Sequence, residues 1–462
     1  MVAPNTVSPS TPRSFLDRLG LHRPELRAWA TYDWAVSSFQ TTIQVAFFQI
    51  YFVTVAAVDL PGEGSRLQAW ATVNTIAAVL VAVASPVLGA ISDVAAAKKR
   101  MLGVFMLLGV CAVGGMFFIG RGDLQLASWL YVAATIAATA SLVMYEALLP
   151  HIASNAEMDR VSSAGYALGY VGGGVLLAIN VFMFLSPATF GFPTSTDPLS
   201  DQGTLPVRAA FLTVAVWWLV FSIPLLRRVR EPARLREADE LSATSLFVTP
   251  FVRLRETIRS LRTFKPAFLM LLAFLVYNDG IQTIIKMATA YGVEIGIEQQ
   301  SLIVAILIVQ FVGFPFAFLF GMLAGRIGAK RAIFLGLLAY TVISVIGFYM
   351  KSARDFYILA FMVGMVQGGT QALSRSLFAS MIPAHKSGEF FGFYSVFEKF
   401  ASIGGPLLFA ATIEVTGSSR NAILGVIVFF AVGAWILSRV NVAEGQRLAQ
   451  DAEKHLVPAP GS

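Results

Sequence analysis

AWATVNTIAAVLVAVASPVLGAIS, residues 69–92, passes without one charged side chain, and Asp93 and the basic triplet Lys98-Lys99-Arg100 follow it. At about 1.5 Å of rise per residue, such a stretch crosses a hydrocarbon core of roughly 30 Å as a single α-helix. Similar runs lie near 28–56, 101–120, 126–149, 163–186, 207–226, 266–290, 301–324, 331–350, 356–382, 390–415 and 421–440. The chain is 56% hydrophobic and 13% charged, with a mean hydropathy of +0.70. A soluble protein of 462 residues would need several cores and far more charge to cover them. The expected fold is an all-α membrane protein with twelve transmembrane helices in two six-helix repeats.

Basic residues set the expected orientation. Twenty-five of the 34 Lys and Arg fall in the two tails and the even-numbered loops, and only six fall in or beside the odd loops. Both termini are therefore expected in the cytoplasm, and the net charge of +7 reflects this asymmetry without calling for a nucleic-acid partner. Residues 1–27 are rich in Pro, Ser and Thr and read as a disordered cytoplasmic tail. The halves are expected at 28–226 and 266–440, joined by a linker at 227–265, with a second tail at 441–462. Within the linker, Phe247, Phe251, Leu254, Ile258 and Leu261 recur at helical spacing with arginines between them, as in an amphipathic helix on lipid headgroups. Cys111, the one cysteine, reads as a small buried packing residue. It excludes an intrachain disulfide, and no metal or other cofactor is expected.

Three landmarks recur in the same order in the two halves. Gly89-Ala-Ile-Ser-Asp93 is matched by Gly321-Met-Leu-Ala-Gly325-Arg326, with the leading glycines 232 residues apart. Pro150-His151 is matched by Pro383-Ala-His385, with the prolines 233 apart. Tyr32-Asp33 followed by Gln40-Thr41 is matched by Tyr277-Asn-Asp279 followed by Gln282-Thr283. Duplicated six-helix halves place a substrate cavity between them, near the midplane.

The loop after the second span has a mechanical reading: small residues let helix ends approach, and an acid binds a facing helix N-terminus. Gly89, Asp93 and Arg326 are accordingly gating candidates, although Gly325 stands where the second acid would be. This loop pattern resembles the signature of the major facilitator superfamily. Four further segments together resemble its vacuole-effluxer-like branch: Trp29-Ala-Thr-Tyr-Asp33-Trp-Ala-Val-Ser-Ser38, Asn278-Asp-Gly-Ile-Gln-Thr283, Gly368-Gly-Thr-Gln-Ala-Leu-Ser-Arg375-Ser and Glu389-Phe-Phe-Gly-Phe-Tyr394. That branch includes fungal autophagy-related vacuolar amino-acid effluxers and many bacterial relatives. The resemblance implies the twelve-helix fold and efflux of neutral amino acids. A bacterial cytoplasmic membrane is the expected location.

Ionisable groups at bilayer depth default to functional hypotheses. The first span carries Asp33, Ser37, Gln40, Thr41 and Gln44 on one α-helical face, and the seventh carries Asp279, Gln282, Thr283 and Lys286. Two acid-led stripes in related helices suit either a lined cavity or interhelical contacts. Asp33 and Asp279 are the candidate proton carriers, the alternative being a permanent ion pair with Lys286 or Arg375. Gln371 and Arg375 share a face of the tenth span, and Arg375 either clamps a substrate anion or locks helices through Glu146 or Glu398. Glu146, near the cytoplasmic end of its span, suits a gate. Glycine-rich stretches at Gly165–Gly174 and Gly404-Gly405 permit close helix crossings.

These features point to a monomeric secondary transporter that alternates access to a small-molecule site, with protons as the candidate coupling ion and membrane lipids around it. Export of a drug-like or lipid-like amphipath is the alternative within transport; a membrane receptor or scaffold is the alternative outside it. An enzyme is not expected: His22, His151, His385 and His455 form no catalytic grouping, and no phosphate-binding G-x-x-x-x-G-K-S/T loop is present.

Overall fold

The computed structural model describes residues 15–193, 195, 197, 199–233, 235–237, 263–294, 296–401, 404–416, 419–454 and 456–458. Within these, the side chains of 235–237, 286–290, 293–294, 299–300, 303, 406, 409–410, 419 and 456–458 fall outside the described set. After a short helix Phe15–Leu19 come the spanning helices α1 Pro24–Ala56, α2 Gly62–Ala95, α3 Lys98–Phe118, α4 Leu124–Ile152, α5 Met158–Leu185 and α6 Asp201–Arg228. The second half contains α7 Lys265–Glu294, α8 Gln299–Ile327, α9 Ala329–Phe348 and α10 Ala353–Ala379. Next come α11, in two pieces Ser387–Phe400 and Gly404–Thr416, and α12 Arg420–Ser438. Eleven helices among the described residues are long and apolar enough to cross a membrane singly, and the two pieces of α11 complete a twelfth crossing. An amphipathic helix α13, Val442–Glu453, follows.

Local chemistry explains where these elements start and stop. The Ser352 hydroxyl accepts from the Asp355 amide and the Asp355 carboxylate accepts from the Ser352 amide, a reciprocal cap that starts α10. Ser200 and Asn441 cap α6 and α13 through single side-chain acceptors. The first span departs from a plain α-helix: residues Phe39–Phe47 and Phe52–Ala56 are π-helical, with i→i+5 bonding that shifts every later side chain around the axis.

The first and last described helices, Phe15–Leu19 and Val442–Glu453, lie at one end of the bundle, called here the terminus-bearing end. There the halves meet along two crossings that mirror each other, α2 on α11 and α8 on α5. A Cβ added to Gly89 would fall on the Gly388 carbonyl, and one on Gly321 would stand 2.7 Å from the Ser163 Cβ. Only hydrogen side chains permit backbones this close.

Several expectations change. Residues 15–27 are not an unstructured tail: Leu26 is fully buried, and Arg23 pairs with Glu157 while donating 2.6 Å to the Ile152 carbonyl. The α4–α5 turn offers these partners, which a composition-based reading of the tail cannot see. Cys111 is exposed on the bundle surface, because α3 is a peripheral helix with an outward face. Nearly all of the expected linker helix at 247–264 lies outside the described residues. The all-α description gains one small exception, an antiparallel pair of β1 Leu235–Glu237 and β2 Leu456–Pro458.

Gly89→Val should weaken the α2–α11 crossing by about 1–3 kcal/mol, the usual cost of overpacking a tight contact. A lowered unfolding temperature together with faster hydrogen exchange at 387–392 would register it; an unchanged exchange rate would contradict the packing account.

Candidate functional site

Arg375 of α10 is 1% exposed and inserts its guanidinium into the opposite half of the molecule. Its Nη1 lies 3.3 Å from Asp33 Oδ2 on α1 and 3.9 Å from Glu146 Oε1 on α4. Nε donates to the Ser162 hydroxyl and Nη2 to the Ser162 carbonyl on α5, each at 2.9 Å. The Tyr145 hydroxyl donates to Asp33 Oδ2 at 3.1 Å. Three rings enclose the cation, with centroids 5.1 Å (Trp29), 5.5 Å (Tyr145) and 4.5 Å (Tyr166) from its central carbon. A buried charge is tolerated only when paired and hydrogen-bonded, and this one is both.

Helix 5 makes room for the pair. A Cβ on Gly165 would stand 2.8 Å from the Tyr145 hydroxyl, 2.9 Å from Asp33 Oδ2 and 3.1 Å from Arg375 Nη2. One and two turns on, Gly169 and Gly173 face Ser37 and Thr41, and Thr41 donates to the Gly173 carbonyl at 3.2 Å.

Further contacts between the halves lie closer to the terminus-bearing end. Ser162 donates to the Ala372 carbonyl at 2.7 Å, and Ser376 to Asp159 Oδ1 at 2.6 Å. Asp93 accepts from the amides of Gly388 (3.1 Å) and Glu389 (2.8 Å) at the N-terminus of α11, and Lys98 stands 2.5 Å from the same carboxylate. Ser387 donates to the Ala147 carbonyl at 2.8 Å and sits 3.3 Å from His151 Nε2. Among the described residues, these contacts join the two halves across this end.

Beyond the ion pair the packing opens. Along α5 and α10 the order is Arg375 against Tyr166, then Tyr170 packed on Gly313 of α8 and Gly368 of α10, then a cavity of about 290 Å³. Thr41 and Val45 wall it from α1, Thr283 from α7, Gln310 from α8, Ser344 from α9 and Gln367 from α10; the remaining described lining is largely aliphatic and aromatic, and none of it is charged. Tyr291, Leu302, Met350, Phe356 and Ile423, also in its wall, sit near the helix ends opposite the termini.

The candidate residues therefore divide. Asp33, Glu146 and Arg375 come together as a lock between the halves, so that Asp33 takes the ion pair with Arg375 expected as the alternative to its role as a proton carrier. Glu398 is half-buried, within electrostatic reach of Glu146. Of the α1 stripe, only Thr41 borders the cavity; Asp33 and Ser37 turn to the α5 glycines, Gln44 is half-buried and Gln40 exposed. The π-helical backbone from Phe39 accounts for Gln44, which it rotates away from Thr41.

Neither Asp279 nor Asp33 lines the cavity described above. Asp279 accepts from the Gly405 amide at 2.8 Å, capping the second piece of α11 within its own half. Thr283 borders the cavity; Gln282 and Gln371 are half-buried outside its wall, and the Lys286 side chain lies outside the described residues. Gly89 and Asp93 sit among the contacts across the terminus-bearing end. Arg326 is exposed; in the second repeat Lys330 instead donates to the Ser438 and Val440 carbonyls at 2.9 and 2.8 Å. Trp29, Tyr145 and Ser162 were missed as site residues. The one signal for them was position: Trp29 lies one turn before Asp33, and Tyr145 adjoins Glu146.

A family model described as "Vacuole effluxer Atg22 like" matches residues 69–450. The chain belongs to this family, within the major facilitator superfamily. It is 33% identical over 413 residues to the uncharacterized MFS-type transporter YxiO of Bacillus subtilis, covering 89% of this chain and 94% of that one. It is 26% identical over 320 residues to autophagy-related protein 22 of Yarrowia lipolytica, covering 64% of this chain and 52% of that protein. The chain thus spans about half the length of its fungal relative. The solved proton:xylose symporter XylE superposes with a TM-score of 0.67 at 12% identity, covering 96% of this chain and 99% of that one, a likeness of fold. The effluxer-family chain is a multi-pass membrane transporter and not an enzyme.

Arg375→Ala strands Asp33 and Glu146 as buried, unmatched carboxylates, and should destabilise this arrangement by about 3–5 kcal/mol. Asp33→Asn in the same chain should recover part of that loss. Unfolding midpoints of the four members of this double-mutant cycle check it, with additive effects counting against a direct pair.

Proposed function

We propose that the chain is a secondary transporter that alternates access to a small-solute site, coupled to protons, with both termini in the cytoplasm. The buried pair between Asp33 and Arg375 carries this reading, because it joins the halves on one side of a cavity and must part if the cavity is to open toward the termini. Two carboxylates, Asp33 and Glu146, face one guanidinium. Protonating them removes the charge that holds Arg375, and that is how proton binding would shift the equilibrium between the two facings.

Family membership supports export of neutral amino acids from the cytoplasm as the leading substrate reading. One observation favours a second: the described cavity wall is mostly apolar and carries no charge, which suits an amphipathic solute.

Counterflow in proteoliposomes discriminates between them. Labelled neutral amino acids should exchange in wild type and be displaced by unlabelled ones, whereas displacement only by hydrophobic cations would favour the amphipath. Asp33→Asn should abolish proton-driven accumulation while leaving exchange measurable. Asp279→Asn, removing a carboxylate that caps a helix, should lower stability more than it alters coupling. Full proton-driven uptake in Asp33→Asn would overturn the assigned role.

A further inference from the structure

The surroundings of Arg375 have a second meaning once sorted by half. Trp29 and Asp33 come from α1, Tyr145 and Glu146 from α4, Ser162 and Tyr166 from α5. All six belong to the first half, while the guanidinium they enclose comes from the second. Three rings lie within about 6 Å of the cation, the range over which a ring face attracts positive charge. Two carboxylates and the Ser162 hydroxyl and carbonyl supply acceptors. The first half thus contains a complete box for an organic cation, shaped by aromatic faces and floored by Gly165.

From this we infer that the box is a substrate subsite for a protonated amino or guanidino group, and that Arg375 occupies it as an internal cation whenever the terminus-bearing end is sealed. This rests on the alternating-access reading above. When the halves part at that end, α10 withdraws with Arg375 and leaves two buried carboxylates facing three rings. Vacant, the box would be costly; a solute bearing an ammonium group restores the charge balance that Arg375 supplied. Solute and Arg375 then compete for one place, so a solute in the box holds the terminus-bearing end open, and its passage from the box into the cavity lets Arg375 return and seal that end before the solute leaves on the far side. The recognised feature is a positive amine, common to zwitterionic amino acids and simple organic amines, while the rest of the solute faces the apolar cavity.

Two measurements on the full chain test this. Purified Arg375→Ala should bind methylguanidinium and tetramethylammonium saturably in calorimetric titration, against sodium chloride at equal ionic strength. Wild type, with its own cation in place, should bind them at least about tenfold more weakly, and Tyr166→Ala added to Arg375→Ala should weaken binding by about tenfold. No binding above the sodium control, or indifference to Tyr166→Ala, would overturn the inference.

Should Arg375→Ala not fold, the wild type answers through spin labels at the exposed positions Asn155 and Arg326, on opposite halves at the terminus-bearing end, in a Cys111→Ser background. Ethylammonium should enlarge the long-distance population, and Tyr166→Ala should abolish that response. Two populations that ignore ethylammonium would defeat the cation box alone. A single population under every condition, with no counterflow, would defeat alternating access itself.

Discussion

The ion pair between Asp33 and Arg375 is the constraint around which the helices are arranged. Removing a guanidinium and a carboxylate from water costs several kcal/mol each unless the protein replaces their solvation. Here the replacement comes from the Tyr145 hydroxyl, both oxygens of Ser162 and three aromatic faces. Those groups sit on α1, α4 and α5, so the pair requires these helices to converge with α10 at one level. It also requires a glycine at 165, where any side chain would meet the Tyr145 hydroxyl, Asp33 and Arg375 at once.

Duplication of sequence has not produced duplication of chemistry. Asp33 and Asp279 stand at matching places in the two repeats. The first meets a guanidinium from the other half, and the second caps a helix piece in its own. The loops after the second and eighth spans diverge in the same manner: Asp93 reaches across to the start of α11, whereas Lys330 in the second repeat donates to carbonyls that close α12. The acids named in contacts between the halves all come from the first half, and the cavity wall comes mostly from the second half. The first half supplies the acids and the second supplies Arg375 and most of the apolar volume, a division of labour that a symmetric reading of the repeats conceals.

Twelve crossings, the repeat and the crowding of basic residues at one end were legible from hydropathy and spacing, because crossing a lipid core imposes a length and a charge pattern on every segment independently. Glu146 and Arg375 were legible as partners because each is an ionisable group too costly to leave in lipid. The destination of each polar side chain on α1 was not. A stripe at 3.6 residues per turn puts Gln44 near Thr41, and the π-helical stretch from Phe39, with more residues per turn, rotates Gln44 away from it. Trp29 and Tyr145 escaped notice for a related reason: an aromatic side chain in a spanning helix looks the same whether it faces lipid, a neighbouring helix or a buried cation.

By itself, then, the sequence determined that this chain spans the membrane in two related halves, and which acids and bases lie at bilayer depth. Only the tertiary structure decided that Asp33 faces Arg375 while Asp279 faces a backbone amide, and that the cavity lies on the far side of the lock. The physical reason is range. Burial in lipid acts on each segment alone and leaves its mark along the chain, whereas an ion pair needs two side chains 342 residues apart to meet at 3.3 Å.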